Sequence, residues 1–389
     1  MNSAKVTYEH LKTVREKRVA QLLSPAVTID PSFTISKVIS IMNENDVYDV
    51  FCIKGNSCFT INVRDLLALR DIPQMKVDSS LRRIQPLSKN GTVEETATIL
   101  AHYRMRSVPV VEKNQIIGIV KAKSIIELMA QHSLNWITAN TILTPNPITA
   151  DSTEPLSKAR KIMMSKRIDH IPVINGNKVT NVLTSMHILP LLSPSERIGS
   201  DQKGVNPLRR LESQIGNIGS ARIPQCNTND TLTTVIESML KADTTCCLLI
   251  LWGNLHGIIT YKDILNLLEK KISGEVPLYI IGLPEDLSNA EIVKTKFEKI
   301  IRNLTKVYPE VEEARASIKI IHDTAGERKN YEVAVRVLTP YKTHSYTEIG
   351  WDLSKVFDIL GQKIIRNLSK RSKKRWKMSI RKIDKKQIF

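Results

Sequence analysis

The chain has 389 residues, of which 42% are apolar, and its formal net charge is +18. That length leaves room for two or three domains with a sizeable core, and the charge favours a polyanionic partner, either nucleic acid or an anionic membrane. No apolar run approaches the roughly 20 residues of a membrane span, and the first residues lack a secretory signal core, so we expect a cytoplasmic protein without a membrane partner.

Residues 1–23 predict a helix with one apolar side, which we expect to pack on the first folded module. The apolar side carries Val14, Val19, Leu22 and Leu23. The polar side carries Lys12, Arg15, Lys17 and Arg18. Such a separation at helical spacing is typical of a helix that covers a core with one face.

One layout then occurs four times before about residue 270. In each repeat the end of a helix is followed, eight residues later, by an apolar strand, a turn, a second strand and a new helix. The first strands are predicted to begin at Val50, Val108, Ile171 and Cys247. A constant offset of this kind indicates a repeated β-α-β-β-α unit.

The fourth repeat ends in Gly257, Thr260 and Asp263, at a junction between a strand and a helix. Free backbone N–H groups and the positive end of the helix dipole favour a phosphate at such a junction, and a carboxylate can accept hydrogen bonds from both hydroxyls of a ribose. Thr260 and Asp263 are equally typical of an ordinary helix cap, so these residues alone leave both interpretations open.

The four repeats resemble CBS motifs, which pair into two-motif modules. The resemblance implies that the threonine of the junction binds the phosphate, and the aspartate the ribose, of an adenine nucleotide such as AMP, ADP or ATP. The fourth repeat has the whole pattern. The equivalent positions in the other repeats are Phe59, Asn62 and Asp65, then Gly118, Lys121 and Ser124, then Asn181, Thr184 and His187. The nucleotide-binding candidates are therefore Gly257, Thr260, Asp263, Thr184, His187, Asn62 and Asp65, with no cofactor required.

The modules are predicted to occupy residues 1–133 and 134–272, each with two motifs. The second module includes a basic, glycine-interrupted stretch at residues 193–220. A structureless stretch of this length inside a compact module is uncommon and is either functional or disordered. We interpret it as a flexible linker or, alternatively, as a basic contact loop.

Residues 276–389 predict a further two-layer domain with the order β-α-β-β-β-α. Its predicted elements are a strand from Pro277, a helix capped by Ser288 and ending near Val307, strands at Arg315–His322, Tyr331–Leu338 and Ser345–Gly350, and a helix from Asp352. The whole chain is thus expected to be α/β (α+β), with two CBS-pair modules followed by this basic domain.

The last domain carries 24 Lys and Arg against 14 Asp and Glu, and after Gln362 the cations face Asp384 alone. Helix faces of this kind can neutralise phosphates in structured RNA, although a solvated helix face is the simpler alternative. The candidate RNA contacts are Lys299, Arg302, Lys306, Lys363, Arg366, Lys370, Arg371, Lys373, Lys374, Arg375 and Lys377. Trp376 among them can stack on a base or pack on its own domain.

The stretch from Thr347 to Leu353 and the helix through Ile364 to Lys370 resemble bacterial hibernation-promoting factor. That resemblance implies binding to the small ribosomal subunit through basic helix residues. CBS modules joined to such a domain look like the archaeal tandem-CBS ribosome hibernation factors. The resulting hypothesis is a translation-inhibiting stress-response factor that binds rRNA on ribosomal subunits and is tuned by adenine nucleotides. The alternative is a nucleotide-sensing CBS regulator of an enzyme, a transporter or a DNA target.

Catalysis and metal binding lack sequence support. The chain has no Gly-x-Ser-x-Gly, P-loop or His-Glu-x-x-His motif, so we do not expect an enzyme. The five cysteines form no Cys-x-x-Cys pair, which favours buried, reduced thiols over a zinc site. The sequence leaves the oligomeric state open.

Overall fold

The computed structural model of the chain forms two units, Met1–Glu269 and Lys270–Phe389. It describes residues 3–69, 72, 75–176, 178–192, 211–269, 276–284, 286–308, 310–324, 328–339 and 342–384, the last sixteen of these as backbone. The first unit contains the four repeats, and the second contains the basic domain. The mixed α/β class predicted from the sequence is confirmed.

The elements of the first unit follow the repeated layout. Its helices α1–α11 are Ser3–His10, Lys12–Arg15, Ile35–Glu44, Val63–Leu67, Val93–Tyr103, Ala122–Ala130, Ala139–Ile142, Leu156–Lys166, Ser185–Ile188, Leu232–Lys241 and Tyr261–Leu265. Its strands β1–β13 are Leu23–Ser24, Asp49–Lys54, Ser57–Asn62, Arg82–Ile84, Ser107–Glu112, Gln115–Lys121, Thr144–Pro145, Ala150–Asp151, His170–Asn175, Lys178–Thr184, Gln225–Cys226, Cys246–Leu251 and Asn254–Thr260. Short 3₁₀ turns lie at Val19–Leu22, Val77–Ser80, Leu189–Leu191, Ile215–Asn217 and Asn266–Leu268.

The helix–strand–strand–helix core of the repeats is α3-β2-β3-α4, α5-β5-β6-α6, α8-β9-β10-α9 and α10-β12-β13-α11. The predicted first strand of every repeat is found, but each begins one residue earlier, at Asp49, Ser107, His170 and Cys246. The apolar pattern missed these positions because three of the four side chains are polar. The four residues hold equivalent positions at the start of the first strand of each repeat.

Each repeat receives a short strand from the segment that precedes its partner repeat. Strand β1 pairs with β6 of the second repeat, and β4 pairs with β3 of the first. In the same way β7 pairs with β13 of the fourth repeat, while Ser220 bridges to Val182 in the third. This reciprocal exchange joins the first repeat to the second and the third to the fourth.

A glycine makes room for the exchanged strand in the fourth repeat. A Cβ on Gly257 would lie 2.7 Å from Leu143 Cδ1 and 3.2 Å from the carbonyl oxygen of Thr144. Gly118 holds the equivalent place in the second repeat, where a Cβ would lie 3.0 Å from the carbonyl oxygen of Ser24. The glycine of the predicted nucleotide motif therefore has a packing role of its own.

The first and third repeats share one hydrophobic core. Buried side chains of α3 and β2 pack with those of α8 and β9, and α4 contacts α8 and α9. The Arg160 side chain of α8 donates hydrogen bonds to the carbonyl oxygens of Leu67 at 2.8 Å and Leu69 at 2.6 Å, which satisfies the C-terminal end of α4. Helix α6 of the second repeat contacts α10 and α11 of the fourth.

The N-terminal segment differs from the single helix predicted for residues 1–23. It forms α1 and α2, and Arg15, expected on the polar side, is buried. Arg15 pairs with Glu94 at 2.8 Å, and its guanidinium carbon lies 3.4 Å from the centroid of the Tyr8 ring. The Glu94 carboxylate and the face of the Tyr8 ring thus compensate the buried charge of Arg15. The segment packs on the first module, as predicted.

Part of the predicted linker is folded into the third repeat. Residues 193–210 lie outside the described residues, but Leu211 is buried. The backbone N–H of Ile215 donates to the carbonyl oxygen of Glu154 at 2.9 Å, and Ser220 exchanges two backbone hydrogen bonds with Val182. The end of the 193–220 stretch is therefore held to the third repeat and is not a free linker. All five cysteines of the chain are free and buried, as predicted.

The second unit has the predicted order β-α-β-β-β-α. Its elements are β14 Leu278–Ile281, α12 Leu287–Val307, β15 Glu313–Thr324, β16 Arg328–Leu338, β17 Thr343–Gly350 and α13 Leu353–Asp384. The sheet order is β14-β15-β16-β17, with β14 parallel to β15 and the other pairs antiparallel.

Both helices of this unit pack on one face of the sheet. Phe297 of α12 and Phe357 of α13 are fully buried, with ring centroids 6.3 Å apart, against the apolar side chains of β15 and β16. One detail of α12 differs from the prediction, because Ser288 lies inside the helix instead of capping it. Ile292 of the same helix is 41% exposed.

Candidate functional site

One hydrogen-bonding arrangement recurs at the strand-to-helix junctions. In the fourth repeat the N–H and Oγ1 of Thr260 donate to Oδ2 of Asp263 at 2.8 and 2.7 Å. Thr260 is the N-cap of α11 and Asp263 its third residue, so the pair forms a capping box. The capping interpretation of the predicted motif is therefore correct for this structure.

Capping leaves one oxygen of Asp263 lightly engaged. Among the described residues, Oδ1 accepts a single hydrogen bond, at 3.2 Å, from Oγ1 of Thr144 on the exchanged strand β7. Burial raises the pKa of Asp263, against the opposing effect of the Thr260 hydrogen bonds. A carboxylate with a free acceptor position beside a helix N-terminus can accept a hydroxyl of a ligand while it caps.

The first and third repeats form the same box with other side chains. In the first, Asn62 N–H donates to Asp65 Oδ2 at 3.2 Å, and Asp65 also pairs with Arg82 at 2.8 Å. In the third, the N–H of Thr184 donates to Nδ1 of His187 at 3.0 Å.

The second repeat lacks this arrangement because Lys121 at the N-cap makes no side-chain cap. The predicted nucleotide residues thus lie at three junctions, one in each of three repeats.

A second set of residues, which the sequence interpretation did not identify as a site, joins all four repeats. We call it the four-repeat polar cluster. Its members are Tyr48, Asp49, Arg106, Ser107, Asp169, His170, Ser185 and Thr245. Tyr48, Arg106, Asp169 and Thr245 hold equivalent positions, two residues before the predicted strand start of each repeat. A polar residue at that place in every repeat is the sequence signal that would have revealed the cluster.

Asp49 binds the second repeat to the first. Its Oδ2 accepts hydrogen bonds from the backbone N–H groups of Arg106 and Ser107 at 2.8 and 2.9 Å, and from the Ser107 hydroxyl at 3.2 Å. The residue is only 2% exposed. Burial raises the pKa of Asp49 to about 7, because desolvation outweighs these hydrogen bonds and the Arg106 charge.

Asp169 of the third repeat has the opposite electrostatic environment. It forms an ion pair with the Arg106 guanidinium and accepts a hydrogen bond from the Ser185 hydroxyl. Burial alone would raise the pKa of Asp169, but the charges of Arg106, His170 and Arg64 hold it below its usual range. Two carboxyls in one cluster therefore have pKa values displaced in opposite directions.

The third repeat meets the fourth through a histidine. Nε2 of His170 lies 2.7 Å from Oγ1 of Thr245. Burial and the nearby Arg106 charge lower the pKa of His170 to about 4. The same two causes lower the pKa of His187. His170 is therefore neutral near pH 7, and its proton position is set by its hydrogen-bond partner.

The predicted RNA contacts on α12 lie on its surface. Lys299, Arg302 and Lys306 are exposed, and no ion pair or hydrogen bond joins the side chain of any of them to another described residue. They follow one another at spacings of three and four residues and so share one face of the helix. These three side chains are available for a polyanion.

The contacts predicted on α13 fall into two groups. Lys363 is engaged in an ion pair with Glu348 of β17, and Arg366 is exposed. The helix backbone continues to Asp384 and includes the remaining predicted contacts. These are Lys370, Arg371, Lys373, Lys374, Arg375, Trp376 and Lys377, whose side chains lie outside the described part of the structure.

The described residues contain neither a membrane-spanning helix nor a cluster of metal ligands. None of the described helices combines the length and apolar character needed to cross a membrane. No group of three or more His, Cys, Asp or Glu side chains in the described part of the chain is arranged to hold a metal ion.

Part of the chain matches a known domain family, and the chain is similar in sequence to known proteins. The sequence model of the CBS domain matches residues 79–131 and 139–193, which contain the second and third repeats. Protein MJ1404 of Methanocaldococcus jannaschii is 23% identical over 331 residues, covering 82% of this chain and 77% of that protein. The SNF1-related protein kinase regulatory subunit gamma-1 of Arabidopsis thaliana is 28% identical over 231 residues, covering 51% of this chain and 54% of that protein.

A solved structure has a similar fold. The crystal structure of protein MJ1225 from Methanocaldococcus jannaschii, proposed as an archaeal homologue of γ-AMPK, gives a TM-score of 0.56 at 20% identity and covers 64% of this chain and 99% of its own. The chain thus contains tandem CBS domains. Because such domains are typically regulatory modules that sense nucleotides, these likenesses favour the regulatory alternative over the ribosome-hibernation hypothesis.

Proposed function

We propose that the four-repeat unit is a regulatory, non-catalytic sensor that binds an adenine nucleotide at the Thr260–Asp263 junction. The observation that carries this proposal is the intact Gly257, Thr260 and Asp263 set, in which Asp263 Oδ1 keeps an acceptor position beside the helix N-terminus. A ribose hydroxyl would bond to that oxygen, and a phosphate would be favoured by the N-terminus of α11 in the packed unit.

Binding at one junction can influence the other repeats through the four-repeat polar cluster. The backbone N–H of Tyr261, which follows Thr260, donates to the carbonyl oxygen of Thr245 at 3.2 Å, and Oγ1 of Thr245 lies 2.7 Å from Nε2 of His170. Beside His170 in the chain, Asp169 pairs with Arg106, which lies over the Tyr48 ring, 4.3 Å from its centroid. A nucleotide that changes the position of α11 would therefore act on side chains of the first and third repeats.

A sensor needs two states that bind the nucleotide with different affinity. The kinase regulatory subunit and the γ-AMPK-like protein among the relatives suggest that the output is a partner macromolecule whose activity depends on the bound nucleotide. For this chain we propose the same general role, a regulator of another macromolecule, with AMP, ADP or ATP as the signal.

Calorimetry with AMP, ADP and ATP on the full chain tests the nucleotide site. Asp263→Asn preserves one acceptor for the cap but removes the carboxylate, so it should weaken binding at least about tenfold, the effect of losing a charge-assisted hydrogen bond. Glu95→Gln makes the same change in the capping box of α5, where Thr92 N–H donates to Glu95 at 3.0 Å, and should leave affinity unchanged. Absence of binding heat in wild-type protein, or equal affinity in all three proteins, contradicts the proposal.

A second function, contact with rRNA on ribosomal subunits, is favoured by a different observation. Lys299, Arg302 and Lys306 form an exposed stripe on α12 without ion pairs among the described residues. Neutralising phosphates with such a stripe releases counterions and gives affinity that falls steeply with salt. Together with the predicted resemblance of this unit to hibernation-promoting factor, the stripe supports the hypothesis that the sensor acts on translation.

Salt-dependent co-sedimentation with purified ribosomal subunits tests this second function. Reversing the three charges by Lys299→Glu, Arg302→Glu and Lys306→Glu should release the protein from subunits at low salt. Reversing three exposed cations of the first unit, Lys89→Glu, Lys178→Glu and Arg222→Glu, should not. Wild-type protein that fails to sediment at low salt, or equal retention of both triple variants, rules the function out.

A further inference from the structure

The turn at the tip of the β-hairpin has a similar backbone in all four repeats. The first residue of this turn is Gly55, Lys113, Gly176 or Trp252, with φ between +48° and +61°. This left-handed region suits glycine and asparagine, and a large side chain there costs free energy. Two repeats have glycine and one has lysine at this position, so the fold does not require an aromatic residue there.

Trp252 buries almost none of its side chain in return for this cost. The residue is 96% exposed, whereas the next large apolar residues in the described part of the chain reach 55%. Trp136 of the same unit, by contrast, has its ring centroid 5.2 Å from that of His10. Tryptophan is enriched among the residues that anchor protein interfaces. A tryptophan that strains its turn and stays in solvent therefore indicates a binding partner.

The hairpin that carries Trp252 is uncharged, which bears on the class of that partner. Residues 244–261 contain no Asp, Glu, Lys or Arg, although 25% of the chain is charged. The hairpins of the other repeats have lysines at or near their turns, namely Lys54, Lys113 and Lys178. A nucleic acid needs cations for its phosphates, whereas charged residues are depleted at the core of protein interfaces. The tip of the fourth hairpin therefore fits an apolar protein surface better than a polyanion.

The hairpin holds Trp252 in a defined place. Behind the turn, Ile250 pairs with Leu255 across the two strands, and both pack against a buried apolar cluster of β10, β12 and β13. The side chain of Asn254 donates to the carbonyl oxygen of Trp252 at 3.4 Å. An anchor on a preorganised turn loses less conformational entropy on binding than one on a free loop.

Strand β7 links this hairpin to the proposed nucleotide site. The hydroxyl of Thr144 donates to Oδ1 of Asp263 at 3.2 Å, the oxygen assigned above to a ribose. Further along the same segment, the backbone N–H of Asn146 donates to the carbonyl oxygen of His256 at 3.1 Å, near the turn at Trp252. A ribose that replaces the Thr144 hydroxyl would therefore act on a segment that is bonded along the hairpin.

We propose that Trp252 is the anchor through which the four-repeat unit binds the protein that it regulates, by inserting its indole ring into an apolar pocket of that protein. The proposal rests on the regulatory function proposed above and names its output surface. The nucleotide binds at the opposite end of β13, about 20 Å from the tip for a strand of seven residues.

Thermal unfolding of the full chain without ligand tests whether Trp252 has a structural role instead. Trp252→Asn introduces a residue that this turn favours, so its Tm should equal that of wild type or exceed it. Trp136→Asn removes the ring contact with His10 and should lower the Tm. A lower Tm for Trp252→Asn than for wild type would assign the tryptophan to the fold and overturn the proposal.

Photocrosslinking followed by a binding measurement tests the partner. A benzophenone amino acid at position 252 of the full chain should crosslink to one protein in an extract of the cells that produce the chain, and the same group at position 113 should not. That protein, once purified, should bind Trp252→Asn at least about tenfold more weakly than wild type, and it should bind Lys113→Asn like wild type. Crosslinking to RNA, to a second copy of this chain or to nothing would overturn the proposal, as would equal affinity for Trp252→Asn and wild type.

Calorimetry with AMP separates this proposal from the nucleotide site. Trp252→Asn should bind AMP like wild type, and loss of AMP binding in this variant would overturn the assignment of Trp252 to a protein partner. If wild type fails to bind AMP while partner binding still depends on Trp252, the nucleotide function fails and the docking surface stands. If wild type binds AMP and the partner ignores Trp252→Asn, the docking surface alone fails.

Discussion

Asp49 and Asp169 show that one cluster can displace the pKa values of two identical side chains in opposite directions. Asp49 is surrounded by backbone N–H groups and a hydroxyl, and burial raises its pKa to about 7. Asp169 has the Arg106 guanidinium beside it, and its pKa is held below the usual range. His170, which follows Asp169 in the chain, is neutral at pH 7 because burial lowers its pKa to about 4. These groups have opposite effects on the pH dependence of folding.

Replacing Asp49 by asparagine should show that Asp49 and His170 have opposite effects on the pH dependence of stability. The folded pKa of Asp49 lies above its unfolded value of about 3.9, so its contribution to stability falls as pH rises from about 4 to about 7. The folded pKa of His170 lies below its unfolded value of about 6.5, so its contribution rises from about pH 4 to 6.5. Asp49→Asn should therefore gain stability relative to wild type across pH 4–7, at up to about 1.4 kcal/mol per pH unit.

Urea unfolding of both proteins between pH 4.5 and 7.5 measures this difference. The gap between Asp49→Asn and wild type should widen with pH and then stay constant above about pH 7. Unfolding midpoints of the two proteins that run parallel over the whole range would contradict the assignment of Asp49.

Loss of the Arg106 cation should be far more costly than loss of a surface cation. Arg106→Met leaves Asp169, whose side chain is 11% exposed, without its partner, a change that costs about 3–5 kcal/mol. Lys54→Met removes an exposed pair with Asp78 and should cost about 0–1 kcal/mol. Adding Asp169→Leu to Arg106→Met should recover part of the loss. Equal urea midpoints for Arg106→Met and Lys54→Met would exclude a stabilising role for this pair.

Sequence reasoning found the capping residues but not the cluster. Thr260 and Asp263 carry a local signal, because a cap and its partner are three residues apart in the chain. Asp49, Arg106 and Asp169 are about 60 residues apart from one to the next, and each looks like an ordinary polar residue before a strand. Their pairing depends on how the repeats pack, which no single window of sequence contains.

At the scale of elements, the exchanged strands hold each pair of repeats together. Strand β7 is two residues long and lies against Gly257 of β13. Gly257→Ala places a methyl group 2.7 Å from Leu143 Cδ1 and 3.2 Å from the Thr144 carbonyl oxygen. Overpacking of this kind typically costs about 1–3 kcal/mol, and amide hydrogen exchange at residues 143–146 should become faster.

The neighbouring residue provides the control for this substitution. His256 is exposed, and His256→Ala should change stability by no more than about 0.5 kcal/mol. An unchanged urea midpoint for Gly257→Ala would show that β7 can move away without cost, and that the glycine is not needed for the exchange.

Regular periodicity explains which elements the sequence could predict. The apolar side chains Leu353, Val356, Phe357, Leu360, Ile364 and Leu368 of α13 recur at helical spacing along one face, and all are buried. The exchanged strands β1, β4 and β7 have two or three residues each, too few for a period of two to be visible. The charge of Arg15 predicts a place on the polar side of the N-terminal helix. In the structure an ion pair with Glu94 holds the Arg15 side chain in the interior.

At the scale of the whole molecule, each proposed function belongs to a different unit, nucleotide sensing to the first and rRNA contact to the second. The four repeats form one packed unit with shared cores and a polar cluster to which every repeat contributes. The β-α-β-β-β-α unit carries the exposed cations of α12 and the basic end of α13. The order of its elements could be predicted from the sequence, but its resemblance to hibernation-promoting factor stays a prediction, since element order alone does not identify a partner.

Hydrogen exchange with and without saturating AMP on the full chain tests the central claim, that one nucleotide site acts on four coupled repeats. Protection should appear at residues 257–265 and also at the segments that contribute to the four-repeat polar cluster, residues 47–50, 104–108 and 167–171. Protection in the fourth repeat together with these distant segments is the result that our interpretation predicts. Unchanged exchange throughout, or protection confined to residues 257–265, would contradict it.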